Sequence, residues 1–262
     1  MLLGTDVAAA GTIIRHLDVD VIGLNCSTGP EHMREPARWL ADNIDLPIST
    51  IPNAGLPLNI GGKAVYPMQP EPMAAELAEF AGDLGVNIVG GCCGTTPEHI
   101  RQLVAKIEAL SPERQRRPAE RLASFPEDAK QRTASLVASA IHAVALRPDV
   151  GPLMVGERVN SQGSRKIKKA LLADDYDTLL SVGREQVDGG AHVLDVCVAL
   201  TERGDEAAQM REAVRKLEMG VEAPLTLDST EAAVIQAGLT TEAGAALVDT
   251  AIAGLPTALR AA

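Results

Sequence analysis

The sequence predicts an α/β fold built on parallel β-sheets, and three observations lead to this prediction. Short apolar runs alternate with segments of helical periodicity along the 262 residues. The apolar runs are nearly continuous, which is typical of strands that are buried on both faces. Polar or sulfur-bearing residues follow the ends of these runs, and functional side chains cluster at the carboxyl ends of strands in such folds.

The composition argues against several classes of protein. Hydrophobic residues make up 46% of the chain, which is enough for a core, whereas aromatic residues make up only 2%. Together with a formal net charge of −11, this argues against binding to nucleic acid through a basic face or a base-stacking platform. No apolar run approaches the roughly 20 residues that span a bilayer, and the first residues lack the basic region of a signal peptide. Four cysteines in such a chain favour the reducing cytoplasm and a metal-binding or catalytic use of sulfur.

Three strands are predicted in the first half of the chain, residues 1–110. The apolar runs place these strands at residues 19–25, 46–53 and 86–91. Apolar residues at helical spacing predict a helix before the third strand, and Gly85 fits the C-terminal cap of that helix. A further helix is expected after the third strand, with Thr96 as its N-cap and Pro97 as its first residue.

Residues 111–151 are predicted to form a linker, because this stretch is rich in Pro, Arg and Glu. Within it, residues 134–146 are expected to form a short helix. Residues 152–262 then repeat the alternation of strands and helices. The strands of this second half are predicted at residues 152–155, 191–198 and 223–229.

Three of the four cysteines follow predicted strands of the first half: Cys26 follows the first strand, and Cys92 and Cys93 follow the third. Three thiolates that leave one position open are typical of a catalytic Zn²⁺ site. Adjacent cysteines are a poor disulfide pair, and the neighbouring glycines allow a tight backbone in which both sulfurs face one ion. The alternative is that these cysteines are small buried hydrophobic residues, and the spacing alone does not decide between the two interpretations.

Several other residues have two interpretations. Asn53 lies at the end of the second strand, which makes it a candidate for an exchangeable fourth ligand. The alternative, which the composition of this segment favours, is that Asn53 is a turn residue before Gly55. Cys197 is interpreted as a packing residue. His32 and His99 each follow a Glu at the start of a helix, and both are predicted to be solvated residues of the first turn.

Polar residues also lie at the predicted strand ends of the second half, namely Glu157, Asn160, Asp195 and Asp228. A carboxylate can accept two N–H groups at once, so such a set suits a heterocycle with an amidine-like edge, for example a pterin. Helix capping is the alternative, and it explains Asp228 well. It explains Asp195 poorly, because this carboxylate lies inside an apolar run and needs a partner there. The basic run 165–169 is interpreted as a solvated helix face, with an anion site as the alternative.

The motifs taken together resemble the cobalamin-dependent methionine synthase family. The segments GTDVAAAGT, DVIGLNCSTGPEHM, PNAGLP and VGGCCGTTPEHI resemble the C-terminal half of its homocysteine-binding barrel. The segments GERVNSQGSRKIKKAL, REQVDGGAHVLDVCVAL and APLTLDST resemble the N-terminal part of its pterin-binding barrel. The resemblance extends to about Leu239 and is weakest in the predicted linker.

The resemblance implies two incomplete (β/α)8 TIM-type barrels joined by the linker 111–151. Residues 1–110 would then be a partial homocysteine-binding barrel with zinc, and residues 152–262 a partial methyltetrahydrofolate-binding barrel. The implied zinc ligands are Cys26, Cys92 and Cys93, with Asn53 as a candidate fourth ligand. The implied pterin-binding residues are Glu157, Asn160, Asp195 and Asp228.

The implied activity is a methyltransferase that makes methionine from homocysteine, with methyltetrahydrofolate as the methyl donor and cobalamin as the carrier. The cobalamin-binding module is absent from this chain, so it is an expected partner, and the isolated fragment is not expected to turn over. Two departures stand out: Cys197 replaces an Asn of many relatives, and the tail after Leu239 no longer follows the family. The alternatives are a zinc-dependent homocysteine methyltransferase with another methyl donor, and a non-catalytic zinc-binding remnant.

Overall fold

The computed structural model describes residues 4–15, 17–129, 136–146, 151–241 and 247–249. The chain divides into two compact units: a first unit of residues 17–134, and a second unit of residues 1–16 with 135–262. Each unit contains its own parallel β-sheet, which confirms the predicted α/β class. None of the helices in the described ranges is both long enough and apolar enough to cross a membrane.

The first unit is built on a three-stranded parallel sheet in the order β1–β2–β5. After α1 (Val7–Ile14), which belongs to the second unit, the elements are β1 (Ile22–Asn25), α2 (Pro30–Asn43), β2 (Ile48–Ile51), β3 (Leu58–Ile60), β4 (Lys63–Val65), α3 (Pro70–Glu79), β5 (Ile88–Val89), α4 (Pro97–Glu108) and α5 (Pro112–Ala123). The three sheet strands lie within the predicted apolar runs. Gly85 has a φ of 72° and ends the π-helical turn that follows α3, as its predicted role as a cap requires.

The antiparallel hairpin β3–β4 was not predicted. Its turn is Gly61-Gly62, and both glycines have positive φ values, 60° and 79°. These values are typical of the two-residue hairpin turns that need a left-handed backbone at both positions. The Gly-Gly pair is therefore the sequence signal for this hairpin, although no prediction was made from it.

Helix α5 lies in the stretch that was predicted to be a linker. Ser111 caps its N-terminus, and Arg121 in its last turn donates hydrogen bonds to the carbonyl oxygens of Ile44 (2.8 Å) and Leu46 (2.7 Å). Burial lowers the pKa of Arg121. The prediction was wrong for this helix because a charged composition indicates solvent exposure, whereas the guanidinium of Arg121 satisfies carbonyl groups beyond the end of α2.

The second unit contains a four-stranded parallel sheet in the order β11–β10–β9–β8. After α1, its elements are β6 (Leu136–Ala138), β7 (Ala143–Ala145), β8 (Val155–Asn160), α6 (Arg165–Leu172), α7 (Tyr176–Asp188), β9 (Val193–Cys197), α8 (Glu206–Glu218), β10 (Leu225–Asp228), α9 (Ala232–Leu239) and β11 (Leu247–Asp249). Its core is aliphatic, as the composition predicts, and its largest fully buried side chains include Ile167, Leu179, Leu194, Met210 and Leu217.

Three sequence predictions for this unit were wrong. The short helix predicted for residues 134–146 is the hairpin β6–β7 over its described residues, and Ser139 Oγ accepts hydrogen bonds from the amides of its turn. The strand predicted at residues 152–155 instead begins at Val155 and runs to Asn160. A fourth strand, β11, follows the three that were predicted and pairs with β10.

The boundaries of the compact units also differ from the predicted domain boundaries at residues 110 and 151. The N-terminal residues belong to the second unit because Thr5 Oγ1 donates to the carbonyl of Ala140 (2.6 Å) and the Asp6 amide donates to the carbonyl of Ile141 (2.9 Å). Such pairings join segments that are far apart in the sequence, so local composition does not reveal them.

Candidate functional site

Three sulfur atoms meet at the carboxyl end of the sheet in the first unit. Cys26 follows β1, and Cys92 and Cys93 follow β5, so the sulfurs approach each other from the two strands that flank β2. The Sγ atom of Cys93 lies 3.7 Å from that of Cys26 and 3.8 Å from that of Cys92, and all three lie within 4.8 Å of one another. All three side chains are half-buried, so this three-cysteine cluster is open to a ligand.

Backbone hydrogen bonds to the segment after β2 hold this arrangement. The amide of Cys26 donates to Ile51 O (2.9 Å), and the amide of Cys92 donates to Pro52 O (2.7 Å). The carbonyl of Cys93 accepts from the Ala54 amide (2.9 Å). The chain turns sharply at Cys26, which has a positive φ of 62°. A non-glycine residue keeps this backbone conformation only where its surroundings enforce it, as these bonds do here.

Asn53 is part of the cluster's framework. Its side chain is only 2% exposed, and its Oδ1 accepts a hydrogen bond from the Cys93 amide at 3.1 Å. Its backbone also forms the predicted turn, since the Gly55 amide donates to the Asn53 carbonyl at 2.8 Å and Gly55 has a φ of 84°. The turn interpretation of Asn53 therefore has a structural basis, and its role as a metal ligand stays a prediction.

The thiols influence one another's ionisation. A hydrogen bond from the Ser27 amide is the largest cause that lowers the pKa of Cys26, and hydrogen bonds from Cys93 and Cys92 lower it further. The pKa of Cys92 is raised, mainly by its hydrogen bonding to Cys93 and Cys26. Cys26 is therefore more readily deprotonated than Cys92, and a thiolate is the form of cysteine that binds metal ions.

Two residues near the cluster were not identified from the sequence. His99, predicted to be solvated, is only 6% exposed: its Nδ1 accepts from the Thr96 amide (3.2 Å), and its Nε2 donates to Met68 O (3.0 Å). The spacing of a capping box, with Thr96 as the N-cap and position 99 three residues later, was the signal. Tyr66 lies beside Cys93, and hydrogen bonding to the Cys93 thiol is the largest cause that raises its pKa. No local pattern in the sequence indicated Tyr66.

A second set of polar residues lies across the sheet of the second unit. Asn160 pairs with Cys197 in the register of β8 and β9, and its Nδ2 donates to Asp195 Oδ2 at 3.2 Å. Asp195 is only 5% exposed. The hydrogen bond from Asn160 gives this buried carboxylate the partner that it requires. Asp228 lies at the end of β10, one residue beyond the pair Leu227–Val196. Asn160, Asp195 and Asp228 therefore lie near one another on three adjacent strands.

Two further residues of this region differ in their surroundings. Cys197 is buried beside Asp228, and desolvation is the largest cause that raises the pKa of its thiol to about 11. It therefore stays protonated at neutral pH, in agreement with its interpretation as a packing residue. Glu157 is exposed and lies where the register of β8 shifts between Gly156 and Val159. The structure does not bring it into the group of Asn160, Asp195 and Asp228.

The two sites lie in segments that match two known families of enzymes. Residues 1–107 match the family model of homocysteine S-methyltransferases, and residues 156–256 match that of pterin-binding enzymes. Methionine synthase from Mycobacterium tuberculosis is 41% identical over 240 residues, and that from Mycobacterium leprae is 40% identical over 243 residues. The chain is similar to a part of these methionine synthases. This finding confirms the family resemblance seen in the sequence motifs.

The matches cover most of this chain but only a small part of each relative. Each comparison with a methionine synthase covers 91% of this chain but only 19% of the relative, so the chain spans about a fifth of the length of these curated relatives. The pterin-binding match continues to residue 256, past β11. The expectation that the chain departs from the family after Leu239 was therefore wrong: the Ala-rich composition of the tail hid a further strand of the sheet.

Proposed function

We propose that this chain supplies the homocysteine-activating and folate-binding segments of a methyltransferase that forms methionine. The observation that carries the proposal is the three-cysteine cluster in a segment that matches homocysteine S-methyltransferases. In this proposal the two parallel sheets are parts of two (β/α)8 barrels. The sheet orders β1–β2–β5 and β11–β10–β9–β8, with helices between successive strands, support that architecture.

The cluster fits a zinc ion. Tetrahedral coordination with Zn–S bonds of about 2.3 Å places neighbouring sulfurs about 3.8 Å apart, and two of the Sγ separations here are 3.7 and 3.8 Å. Three protein ligands leave the fourth position for a substrate. When bound, Zn²⁺ would lower the pKa of a substrate thiol, so that homocysteine is held as a thiolate at neutral pH.

The chain's own residues orient this centre. The hydrogen bond from the Cys93 amide to Asn53 and the bond from Cys92 to Pro52 O fix the loop that carries two of the sulfurs. Half-burial restricts water while it leaves a path for the substrate. In this proposal Asn53 is the candidate fourth ligand while substrate is absent, because its carboxamide already adjoins the cluster.

The polar residues of the second unit suit the pterin ring of methyltetrahydrofolate. The carboxylates of Asp195 and Asp228 accept hydrogen bonds, and the Asn160 carboxamide orients Asp195 through its bond at 3.2 Å. A carboxylate recognises adjacent N–H groups on one edge of a ring in the way it recognises a guanidinium. A proton must reach N5 of the folate before its methyl group departs, and such general acid catalysis typically contributes about 10²–10⁴-fold to a rate.

Cobalamin is the carrier of the methyl group in this proposal. Its binding module would be a partner, either a further part of a longer protein or another chain. A cytoplasmic location likewise remains a prediction. The resemblance of the sequence motifs supports the cobalamin carrier, and the matches to methionine synthases support the formation of methionine.

Two binding measurements test the function without requiring turnover. X-ray absorption of the zinc-loaded chain should show three sulfur ligands, and a fourth after the addition of L-homocysteine. Calorimetry should show binding of methyltetrahydrofolate to the same preparation. A metal that gains no sulfur from homocysteine would contradict the activating role of the first unit. Absence of folate binding would contradict the role of the second unit in this chain.

A further inference from the structure

The tip of the hairpin β6–β7 lies between the N-terminal segment and the segment before β10. On one side, the Asp6 amide donates to the carbonyl of Ile141 at 2.9 Å. On the other side, Ser139 Oγ donates to the carbonyl of Glu222 at 2.6 Å. Helix α1 packs on both strands of the hairpin. The hairpin therefore connects α1 to the segment that leads into β10.

The imidazole ring of His142, at the end of this tip, faces two carboxylates. Its Nδ1 lies 3.3 Å from Asp6 Oδ2, and its Nε2 lies 3.2 Å from Glu222 Oε2. Among the residues that the structure describes, Asp6 and Glu222 are the charged groups that pair with this ring. All three side chains are partly exposed, so the ring can exchange a proton with water.

Asp6 links the ring directly to α1. Its Oδ1 caps the helix by accepting a hydrogen bond from the Ala9 amide at 2.6 Å, while its Oδ2 faces His142. A change at the ring therefore reaches the first turn of α1 through a single carboxylate. Helix α1 lies in the segment 1–107 that matches homocysteine S-methyltransferases, but it belongs to the second unit. This contact thus holds a helix of the first family match within the second unit.

The protonation state of His142 decides how many of these contacts are attractive. A neutral imidazole has one N–H donor and one lone pair, so one of the two carboxylates faces an acceptor. An imidazolium has a donor on each nitrogen and a positive charge, so it can bind both carboxylates. Histidine is the side chain that changes its charge between about pH 5 and 8, a range in which carboxylates are ordinarily ionised.

We propose that His142 is a pH-sensitive clasp, which in its protonated form bridges Asp6 and Glu222 and thereby holds α1 on the hairpin β6–β7. Loss of the proton removes one of the two bridges, and α1 then opens more often. Exposed ion pairs are individually weak, so the effect is a graded change in opening. The inference involves neither the cysteine cluster nor folate, so it stands or falls independently of the proposed function.

Trypsin cleavage after Arg15 provides the test, because Arg15 is the half-buried C-cap of α1 and must be released before it is cut. Initial rates at about pH 5.5 and about pH 8 are divided by the rate of cleavage after Lys63. Lys63 lies in the exposed hairpin β3–β4 of the first unit, so this division corrects for the pH dependence of trypsin itself. The normalised rate should rise about two- to fivefold from the lower to the higher pH.

Three variants assign this pH dependence to the clasp. His142→Gln is neutral at both pH values and should show the higher rate at both. Glu222→Gln should show the lower rate at both, because a carboxamide can pair with either form of the ring. His32→Gln changes an exposed histidine beside Glu31 in the first unit and should keep the full pH dependence.

Circular dichroism establishes that each variant is folded before its cleavage is compared. A normalised rate that does not change with pH in the unsubstituted chain would overturn the inference. The same pH dependence in folded His142→Gln as in the unsubstituted chain would overturn it as well, because the titrating group would then lie elsewhere.

Discussion

The side chain of Asn53 accepts a hydrogen bond from the backbone amide of Cys93 at 3.1 Å. This bond joins the segment after the central strand β2 to the loop after the edge strand β5. It is shielded from solvent on the side of Asn53, which is only 2% exposed. Asn53 therefore fixes two of the three sulfurs whether or not it ligates a metal ion.

Replacement of Asn53 by Ala should weaken zinc binding by about 10–100-fold, as is typical when a group that orients metal ligands is lost. It should also destabilise the fold by about 1–3 kcal/mol, because the Cys93 amide loses its acceptor. Competition with a chelator and urea denaturation measure the two effects. Asn59→Ala removes a comparable bond, to Gly62 in the exposed hairpin turn, and should change neither. Equal zinc affinities for the two variants would contradict the role of Asn53.

Arg121→Ala should lower the free energy of unfolding by about 2 kcal/mol, because the carbonyls of Ile44 and Leu46 lose a charged donor. Arg116→Ala is the matched control, since Arg116 forms an exposed pair with Glu120 in the same helix, and such pairs contribute about 0.3–0.5 kcal/mol. Urea denaturation compares the two variants. If they were equally stable, α5 would not be part of the first unit's framework.

Asp195→Asn should reduce methyltetrahydrofolate affinity at least about tenfold, equivalent to 1.4 kcal/mol, because an amide cannot accept two N–H groups as a carboxylate does. Asp177→Asn changes an exposed residue of α7 and should leave the affinity unchanged. Calorimetry measures both. Full affinity in the Asp195→Asn variant would remove this carboxylate from the proposed pocket.

The Cys197 thiol predicts a dependence of stability on alkaline pH. Its pKa rises from an ordinary value of 9.0 to about 11 in the folded chain, so the folded state keeps a proton that the unfolded state has lost. The associated stabilisation is complete below pH 9, declines from about pH 9 to about pH 11, and is absent above that range. The unsubstituted chain should therefore lose stability relative to Cys197→Ala across this window in urea denaturation. A constant difference between the two would show that Cys197 is not buried as a neutral thiol.

The sequence predicted those parts of the fold that depend on local patterns. Apolar runs located the sheet strands of the first unit, and the rule that parallel strands end at one edge anticipated the approach of Cys26 to Cys92 and Cys93. The neighbouring residues of the site were predicted less well. His99 and Tyr66 reach the site through contacts with Met68 and Gly94, far away in the sequence, and no periodicity encodes such contacts.

Composition is a poor guide to structure in two places. Helix α5 is rich in Arg, Glu and Pro, yet one of its arginines, Arg121, binds buried carbonyl groups. Strand β11 lies in an Ala-rich tail that carries no strong strand pattern, and it is defined by its pairing with β10. In both cases tertiary contacts outweigh local propensity.

Zinc content is the most direct test of the central claim that Cys26, Cys92 and Cys93 bind one metal ion. The purified chain and its Cys26→Ser, Cys93→Ser and Cys197→Ser variants would be loaded with zinc, dialysed and analysed by atomic absorption. The account predicts one zinc per unsubstituted chain and per Cys197→Ser chain, and a large loss in the other two variants. Unchanged zinc content in folded Cys26→Ser and Cys93→Ser would contradict the proposed centre.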